Sequence, residues 1–200
     1  PTRTPLAVEG DRERNAYVLL DGWGCCYKML PDGGRQIINL LLPGDFMGMR
    51  SLMFNAADHS FGTLSEARMA VLDRNSLRQA FEDHPHLGMT FLWSMARDEA
   101  IIVEHLVNLG RRSALVSLSH LLLETLYRVK LVRPGEANEF AFPLTQTDLG
   151  DALGLSIVHV NRLLRQLREL QIVTFRDGWL VIHSPARLAE FAGFDAGYLD

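Results

Sequence analysis

Short apolar runs alternate with turn residues along the N-terminal part of the chain. The runs are 17–21, 23–30, 35–42, 61–64 and 68–72. Breaker-rich segments separate them, among them Pro31-Asp32-Gly33-Gly34 and Pro43-Gly44-Asp45. Short strands at this spacing predict a closed β-sandwich or jelly roll.

A helical pattern replaces the strand pattern near Leu87. From there to Leu109 the chain has no proline, and its one glycine is Gly88. Residues recur at alternating steps of three and four, the heptad spacing of helices that pair with each other. This seam consists of Leu92, Met95, Glu99, Ile102, Leu106 and Leu109. It predicts a dimer interface, and the alternative is a helix that lies on its own sheet.

A second group of mostly apolar residues flanks the seam. It consists of Phe91, Trp93, Ile101, Val103 and His105. One of the two groups can face the N-terminal sheet and the other a partner chain.

The C-terminal part predicts a winged helix-turn-helix. Gly110 breaks the long helix, an amphipathic helix follows over 111–129, and 133–138 reads as a loop. Thr145 and Asp148 then have capping-box spacing, so a short helix begins at Gln146. Gly154 ends it, and Ser156 caps a second helix over about 157–170.

A hairpin completes this module. The runs 172–175 and 179–182 are apolar and flank Arg176-Asp177-Gly178, a turn sequence typical of hairpins. Two helices joined by a short glycine turn and followed by such a hairpin predict a DNA-binding wing and helix pair.

The second helix of this module separates its residues by face. Val160, Leu163, Leu164 and Leu167 are predicted to lie inward, and Val158, Asn161, Arg162 and Arg165 outward. Arginine pairs with guanine and asparagine with adenine in the DNA major groove. The outward group is therefore the predicted base-reading surface, and the alternative is a solvated helix on a protein-binding module.

Composition and charge limit the classes of protein to which the chain can belong. Of the 200 residues, 48% are apolar and 22% charged, which excludes a disordered tail, a fibre and a coiled-coil rod. The net charge of −4 gives no support to nucleic-acid binding by the whole chain, so a basic surface has to be local. No run is long enough for a membrane span, no signal peptide is evident, and adjacent Cys25 and Cys26 imply no disulfide framework. We therefore expect a cytoplasmic protein without a membrane partner.

At this point the chain resembles the Crp/Fnr family of bacterial transcription regulators from about Pro5 to Phe194. The segments that carry the resemblance are Leu19-Leu20-Asp21-Gly22-Trp23, Leu30-Pro31-Asp32-Gly33-Gly34-Arg35-Gln36, Leu42-Pro43-Gly44-Asp45-Phe46-Met47-Gly48, the long helix, Leu144-Thr145-Gln146-Thr147-Asp148-Leu149-Gly150 and Val160-Asn161-Arg162-Leu163-Leu164. The resemblance implies an α+β protein with a β-roll sensor domain like those that bind cyclic nucleotides, a long dimerisation helix and a C-terminal winged helix-turn-helix. We place these at 1–86, 87–110 and 111–200.

The resemblance also implies the partners. They are a second copy of the chain, double-stranded DNA with a two-fold symmetric operator, and RNA polymerase. A signal is expected to change how the roll packs on the long helix and to move a hinge near 108–112. The signal itself, and whether one exists, stays open.

The sensor residues depart from the cyclic-nucleotide pattern. Family members that bind cyclic AMP have Gly-Glu after the turn and an Arg-Ser pair further on, whereas this chain has Gly48-Met49-Arg50 and His59-Ser60. An apolar Met49 and a neutral His59 cannot hold a ribose hydroxyl and a phosphate, although Arg50 can substitute in part. We take these five residues as the candidate effector pocket and expect cyclic AMP not to be the signal.

No cofactor or metal is predicted. The two cysteines are too few for an iron–sulfur cluster, and on a strand they point to opposite faces, with Cys25 in the core and Cys26 at a surface or interface. A thiol redox switch and haem binding stay open. His59, His84, His86 and His105 are haem-ligand candidates by residue type alone.

The recognition helix departs from the family as well. Val158 occupies the position of a base-reading glutamate, and it can pack on a thymine methyl group but cannot accept from cytosine. The operator is therefore expected to differ from the well-known half-site there. Phosphate contacts that set the register are expected from Thr145, Gln146, Thr147, Ser156 and His159.

Two other function classes, a metal enzyme and an adaptor, are alternatives to a regulator. A metal enzyme of the cupin type needs His-x-His with a following glutamate on a sandwich strand, but His84-Pro85-His86 lies at a helix start and lacks that glutamate. We therefore expect no enzyme activity. The second is an adaptor that has lost DNA binding, which the retained Arg162 and Arg165 disfavour.

Overall fold

The structure is a computed structural model that describes residues 2–12, 15–53, 57, 59–135 and 138–199. The chain forms two compact units, Pro1–Glu99 and Ala100–Asp200. Their boundary lies within the long helix, so the division of the chain at 86 and 110 stays a prediction.

The first unit is a β-roll of two antiparallel sheets followed by helices. One sheet has the strand order β1-β6-β3-β4 and the other β5-β2-β7. The elements are β1 Pro5–Ala7, β2 Ala16–Asp21, β3 Gly24–Met29, β4 Arg35–Leu41, β5 Phe46–Met47, α1 Met49–Met53, β6 Ser60–Thr63, β7 Arg68–Leu72 and α2 Arg74–Asp83. The strands predicted from the apolar runs are confirmed.

The roll interior is filled by side chains from both sheets. Leu19, Cys26, Leu41, Met47 and Phe61 form one buried cluster. The expectation that Cys26 lies at a surface is wrong, because strand alternation turns Cys26 inward and Cys25 to the other face of the sheet. Cys25 is nevertheless only 2% exposed, and both cysteines are buried and form no disulfide.

One turn of the roll is tied to the long helix. The buried carboxylate of Asp45 accepts from the Leu42 amide at 2.8 Å, which closes the turn around Gly44. Its other oxygen accepts from Arg97 at 2.6 Å. The Arg97 guanidinium also lies 5.0 Å from the Trp93 ring centre. A buried ion pair therefore joins this turn to the helix within the first unit.

The long helix, α3, spans His86–Gly110. Ser94, Ile101 and Asn108 form a buried stripe along it. The predicted seam lies elsewhere on the surface: Leu92 is 62% and Leu106 is 67% exposed, and Glu99, Met95, Ile102 and Leu109 are exposed with them.

The second predicted group on this helix does not form one face. Phe91, Ile101 and His105 are buried or half-buried, whereas Trp93 and Val103 are exposed. Residues two apart lie about 200° apart around a helix, so Phe91 and Trp93 cannot share a face. The expectation that these residues act together is wrong.

The second unit surrounds helix α4 with smaller elements. They are α4 Ala114–Val132, β8 Glu139–Ala141, α5 Gln146–Leu153, α6 Ile157–Glu169, β9 Val173–Arg176, β10 Trp179–Ile182, α7 Pro185–Ala192 and a 3-10 turn Ala196–Leu199. The sheet order is β8-β10-β9, so the predicted hairpin gains a third strand. Leu118, Leu122, Leu149, Leu167 and Leu180 are fully buried.

A buried polar network joins α3 to α4. The Glu124 carboxylate is 1% exposed, and both of its oxygens lie 3.1 Å from His105 Nε2. The Tyr198 hydroxyl donates to it at 3.0 Å, and Arg128 lies 3.4 Å away. Burial alone raises the pKa of Glu124, but these partners, His105 first, outweigh it and hold the pKa below its ordinary value.

His120 is the neutral member of this network. Burial, helped by the Arg112 guanidinium, lowers the pKa of His120 to about 4. A neutral ring fits its neighbours, because Nε2 lies 3.3 Å from a Glu104 carboxylate oxygen and Nδ1 lies 3.4 Å from the Asn108 amide nitrogen. Nε2 therefore donates and Nδ1 accepts. The network surrounds the segment where a hinge was predicted.

We expect His120 to make the stability of the protein depend on pH. In the unfolded protein the His120 ring is protonated as the pH falls below its ordinary pKa of 6.5. In the folded protein the ring stays neutral until the pH falls to about 4. The contribution of His120 to the free energy of unfolding is therefore complete above 6.5 and is lost as pH falls through this window. Urea unfolding of the wild type and His120→Gln at about pH 7 and about pH 5 should show the stability difference between them shrinking at the lower pH. A difference that is the same at both pH values would contradict a neutral buried ring.

Candidate nucleic-acid interface

Helix α5 begins with a complete capping box. The Thr145 hydroxyl accepts from the Asp148 amide at 3.1 Å, and the Asp148 carboxylate accepts from the Thr145 amide at 2.7 Å. The Thr145 hydroxyl also donates to that carboxylate at 2.7 Å. The predicted helix start is confirmed, and it leaves Gln146 and Thr147 on the first turn, half-buried and exposed respectively.

The turn between α5 and α6 depends on two glycines. Gly154 ends α5 with φ +65°, a left-handed conformation that costs other residues free energy. Gly150 has a different role, because a Cβ placed there would lie 2.5 Å from the Leu155 carbonyl oxygen. The Leu155 amide in turn donates to the Gly150 carbonyl at 3.0 Å. Sequence reasoning missed Gly150, although a glycine inside a predicted short helix was a usable signal.

Helix α6 begins at Ile157, and the Ser156 hydroxyl accepts from the His159 amide at 3.3 Å. Val160, Leu163 and Leu167 are buried as predicted. Leu164 is only half-buried, so its assignment to the inner face is corrected: it lies at the edge of that face.

The predicted base-reading residues lie together on the outer side of α6. Val158 is 81% exposed, and Asn161, Arg162 and Arg165 are exposed as well. One shallow concavity is lined by these four residues together with Gln146 and Ile157. Gln146 was predicted as a phosphate contact and not as part of the base-reading surface, and Ile157 was assigned to neither group. Their position next to the outer face explains the difference, since Gln146 starts α5 beside α6.

Two hydrogen bonds order this concavity. The Asn161 side-chain amide donates to Gln146 Oε1 at 3.1 Å. Arg162 Nη2 donates to His159 Nε2 at 3.1 Å. The helix carries Arg162, Arg165 and Arg168 against Glu169 alone, so this surface is locally basic.

The hairpin after α6 forms the predicted wing. Asp177 and Gly178 at its tip have φ of +52° and +76°, the left-handed pair that a two-residue hairpin turn requires. Arg176 is exposed there beside Asp177, 3.1 Å away, and Trp179 is 50% exposed.

The five candidate effector residues do not share one polar surface. Met49 is buried with Ala16, Leu52 and Leu77, whereas Arg50 next to it is exposed. The buried Ser60 hydroxyl accepts from the Glu9 amide at 3.0 Å, and His59 is half-buried.

Gly48 borders the filled interior of the roll. A Cβ added to Gly48 would lie 3.2 Å from the Phe61 ring. Phe61 is 1% exposed, so the side of the roll next to Gly48 is occupied by an aromatic side chain.

The histidine candidates are dispersed. His84 and His86 are exposed with ring centres 5.9 Å apart, and His105 binds Glu124. Across the described ranges, no three His, Cys, Asp or Glu side chains are grouped so that they could hold a metal ion.

Within the described parts of the chain, no helix is long and apolar enough to cross a membrane.

Comparisons with known proteins match both units. The cyclic nucleotide-binding domain family matches residues 1–84, and the Crp-like helix-turn-helix domain family matches residues 117–191. The nitrogen fixation regulation protein FixK of Bradyrhizobium diazoefficiens is 31% identical over 185 residues, 92% of this chain and 76% of that protein. The transcriptional activatory protein AadR of Rhodopseudomonas palustris is 32% identical over 88% of this chain and 73% of its own length.

Solved structures give the same result. The structure of FixK2 from Bradyrhizobium japonicum has a TM-score of 0.80 and 25% identity, covering 98% of this chain and 96% of that one.

We expect Gly150→Ala to destabilise the protein by about 1–3 kcal/mol, because the added methyl group meets the Leu155 carbonyl and forces the turn to move. Gly154→Ala should cost about 1–2 kcal/mol through its positive φ alone. Urea unfolding monitored by circular dichroism measures both.

Gly88→Ala is the matched control, since that helical glycine has open space around its would-be Cβ. Alanine there should raise the free energy of unfolding by up to about 1 kcal/mol. A Gly150→Ala protein that gains stability as Gly88→Ala does would disprove the close approach at the turn.

Proposed function

The chain belongs to the Crp/Fnr family of DNA-binding transcription regulators, and we propose that it acts as a homodimer that reads a two-fold symmetric operator through helix α6. The observation that carries this proposal is the exposed outer face of α6, with Val158, Asn161, Arg162 and Arg165 around one concavity. A face of this kind fits a major groove, where each bidentate pair contributes about 1–3 kcal/mol of discrimination.

The proposal assigns a base contact to each of the four residues. Arg162 and Arg165 bind guanine O6 and N7, and Asn161 binds adenine N6 and N7. Val158, which is 81% exposed, packs on a thymine methyl group. An operator selected from random DNA is therefore expected to differ from the well-known family half-site at the base pair that Val158 faces.

Backbone contacts set the register of this surface on DNA. Thr147 is exposed on the first turn of α5, and Ser156 and His159 lie at the start of α6. The Ser156 hydroxyl accepts from the His159 amide, which leaves its own hydrogen free to donate to a phosphate. Thr145 acts differently: its hydroxyl hydrogen already binds Asp148, so it orients the helix start.

A second copy of the chain covers the outer face of α3. This seam exposes Leu92, Ile102, Leu106 and Leu109 side by side, and heptad spacing is what a helix pair needs. One α6 offers only a few base contacts, and pairing doubles them on two half-sites separated by about one helical turn of DNA, ~34 Å.

The signal is proposed not to be cyclic AMP. Met49 lies in the core where a ribose-binding carboxylate would be needed, Ser60 already binds the Glu9 amide, and Phe61 occupies the adjoining interior. A thiol switch would first have to expose Cys25 or Cys26.

The remaining roles follow from the family. A bacterial regulator of this kind works in the cytoplasm with RNA polymerase as its partner, and we propose no enzyme activity.

An adaptor without DNA binding is the alternative class. Binding to the selected operator should weaken steeply with salt, because phosphate contacts release counterions; flat or absent binding would favour the adaptor.

Arg162→Ala should abolish specific binding while the dimer stays intact. Losing about 1–3 kcal/mol in each of two half-sites weakens operator binding at least about 30-fold. Fluorescence anisotropy with the selected operator and a scrambled duplex measures the specific part. Arg168→Ala, an exposed arginine in the last turn of α6, is the matched control and should keep specificity. Equal losses in the two variants would contradict base reading by Arg162.

Leu106→Glu should separate the dimer, because it buries two carboxylates at the seam. Sedimentation equilibrium should show a monomer, and the circular dichroism spectrum of this monomer should match that of the wild type. Leu131→Glu changes a leucine of α4 that is 52% exposed, outside the seam, and should leave the dimer unchanged. A dimeric Leu106→Glu protein would show that the interface lies elsewhere.

A further inference from the structure

We infer that Gln146 is a specificity-positioning residue, whose side-chain amide holds Asn161 in the orientation that reads an adenine. The inference rests on the proposed function of α6 and goes one step further. It replaces the sequence-based expectation that Gln146 contacts a phosphate.

The geometry places the two amides together on the concave surface. Gln146 is the first residue of α5, and Asn161 lies in the second turn of α6. Gln146 Oε1 accepts from Asn161 Nδ2 at 3.1 Å. Both side chains line the same concavity as Arg162 and Val158, so the contact is part of the surface proposed to meet the bases.

The chemistry of the asparagine side chain makes this contact compatible with base reading. Its amide nitrogen carries two hydrogens, and adenine needs one of them at N7 together with Oδ1 at N6. Donating the other hydrogen to Gln146 leaves that donor–acceptor pair available. A flip of Asn161 alone would set its Oδ1 against Gln146 Oε1, so the contact disfavours the reversed orientation.

Holding Asn161 before DNA arrives also lowers the cost of binding. A free side chain loses rotamer freedom when it is immobilised at an interface, whereas a side chain that is already held loses less. The gain expected from such preorganisation is about 2- to 10-fold in affinity per half-site. It applies only where the partner base is adenine.

The two roles of Gln146 make different predictions. A phosphate contact strengthens binding to every sequence equally and adds to the salt dependence. A positioning contact strengthens binding only to operators that carry adenine at the base Asn161 reads. The ratio of affinities for two operators that differ at this base pair is therefore the decisive quantity.

The experiment uses the full-length dimer and an operator obtained by selection with the wild type. Anisotropy titrations compare Asn161→Ala, Gln146→Ala and the double variant on this operator and on single base-pair changes. Asn161→Ala should remove the preference at one A·T pair, which identifies its base. Gln146→Ala should reduce the preference at the same pair by about 2- to 10-fold and leave other positions unchanged. The double variant should behave as Asn161→Ala does.

Two further variants test the mechanism of the effect. Gln146→Glu keeps an accepting oxygen, so the variant should retain the adenine preference. Its affinity for every sequence should fall, because the added negative charge is repelled by the DNA phosphates. Thr147→Ala, the exposed neighbour on α5, is the matched control and should weaken all operators alike. Replacing the adenine by 7-deazaadenine, which lacks N7, should remove the difference between Gln146→Ala and the wild type.

The outcomes separate this inference from the proposed function. If Gln146→Ala weakens all sequences equally while Asn161→Ala loses one base preference, the inference is wrong and the proposed function stands. If the wild type shows no sequence preference, or Asn161→Ala loses none, the base-reading role of α6 fails and the inference fails with it.

Discussion

The close approach of helix α5 to the chain that enters helix α6 is the constraint on which the DNA-binding unit depends. Gly150 has no side chain, so the Leu155 carbonyl can come within 2.5 Å of the position that a Cβ would occupy. With both helix starts capped and Gly154 in a left-handed conformation, the angle between the helices has little freedom. That angle determines that Val160, Leu163 and Leu167 face inward and that Asn161 and Arg162 face outward beside Gln146.

The long helix α3 imposes the second constraint. It has apolar residues on two faces, and the chain itself buries only one of them. Its inner stripe is buried, and Asp45 holds Arg97 on the roll side. Its seam leaves Leu92 and Leu106 largely exposed, which is costly for a monomer. The polar network of His105, Asn108 and Glu124 begins on the same helix, one turn from the segment that leads into α4. The exposed seam and the buried polar network therefore lie on the same stretch of helix α3.

Hydrophobic periodicity was enough to predict the main elements. Strands β2, β3, β4, β6 and β7 of the roll, helix α3, the capping box at Thr145 and the wing hairpin follow from local pattern and turn chemistry, which are properties of a few adjacent residues. Strands β1, β5 and β8 and helices α1, α2 and α7 escaped prediction, because each is short and depends on packing within its own unit. Cys26 was assigned to the wrong face, since alternation fixes that two neighbours differ but not which one faces the core.

In the candidate site, too, local features could be predicted from the sequence, whereas contacts between distant residues could not. Outward Asn161 and Arg162 could be predicted from helical spacing alone. The contacts of Gln146 with Asn161 and of His105 with Glu124 could not, because they join residues 15 and 19 positions apart whose proximity the fold creates. The available signal for Glu124 was a single acidic residue in the sequence 114–132, placed directly after three leucines.

The measurement that tests the central claim most directly is a chemical footprint of the protein on its selected operator. Hydroxyl-radical protection combined with dimethyl sulfate probing of guanine N7 reports which groove is occupied and how often. We predict two equivalent protected patches about one helical turn apart, with guanine N7 shielded in the major groove of both. A single patch, or protected backbones with guanine N7 fully reactive, would contradict a paired molecule that reads DNA through helix α6.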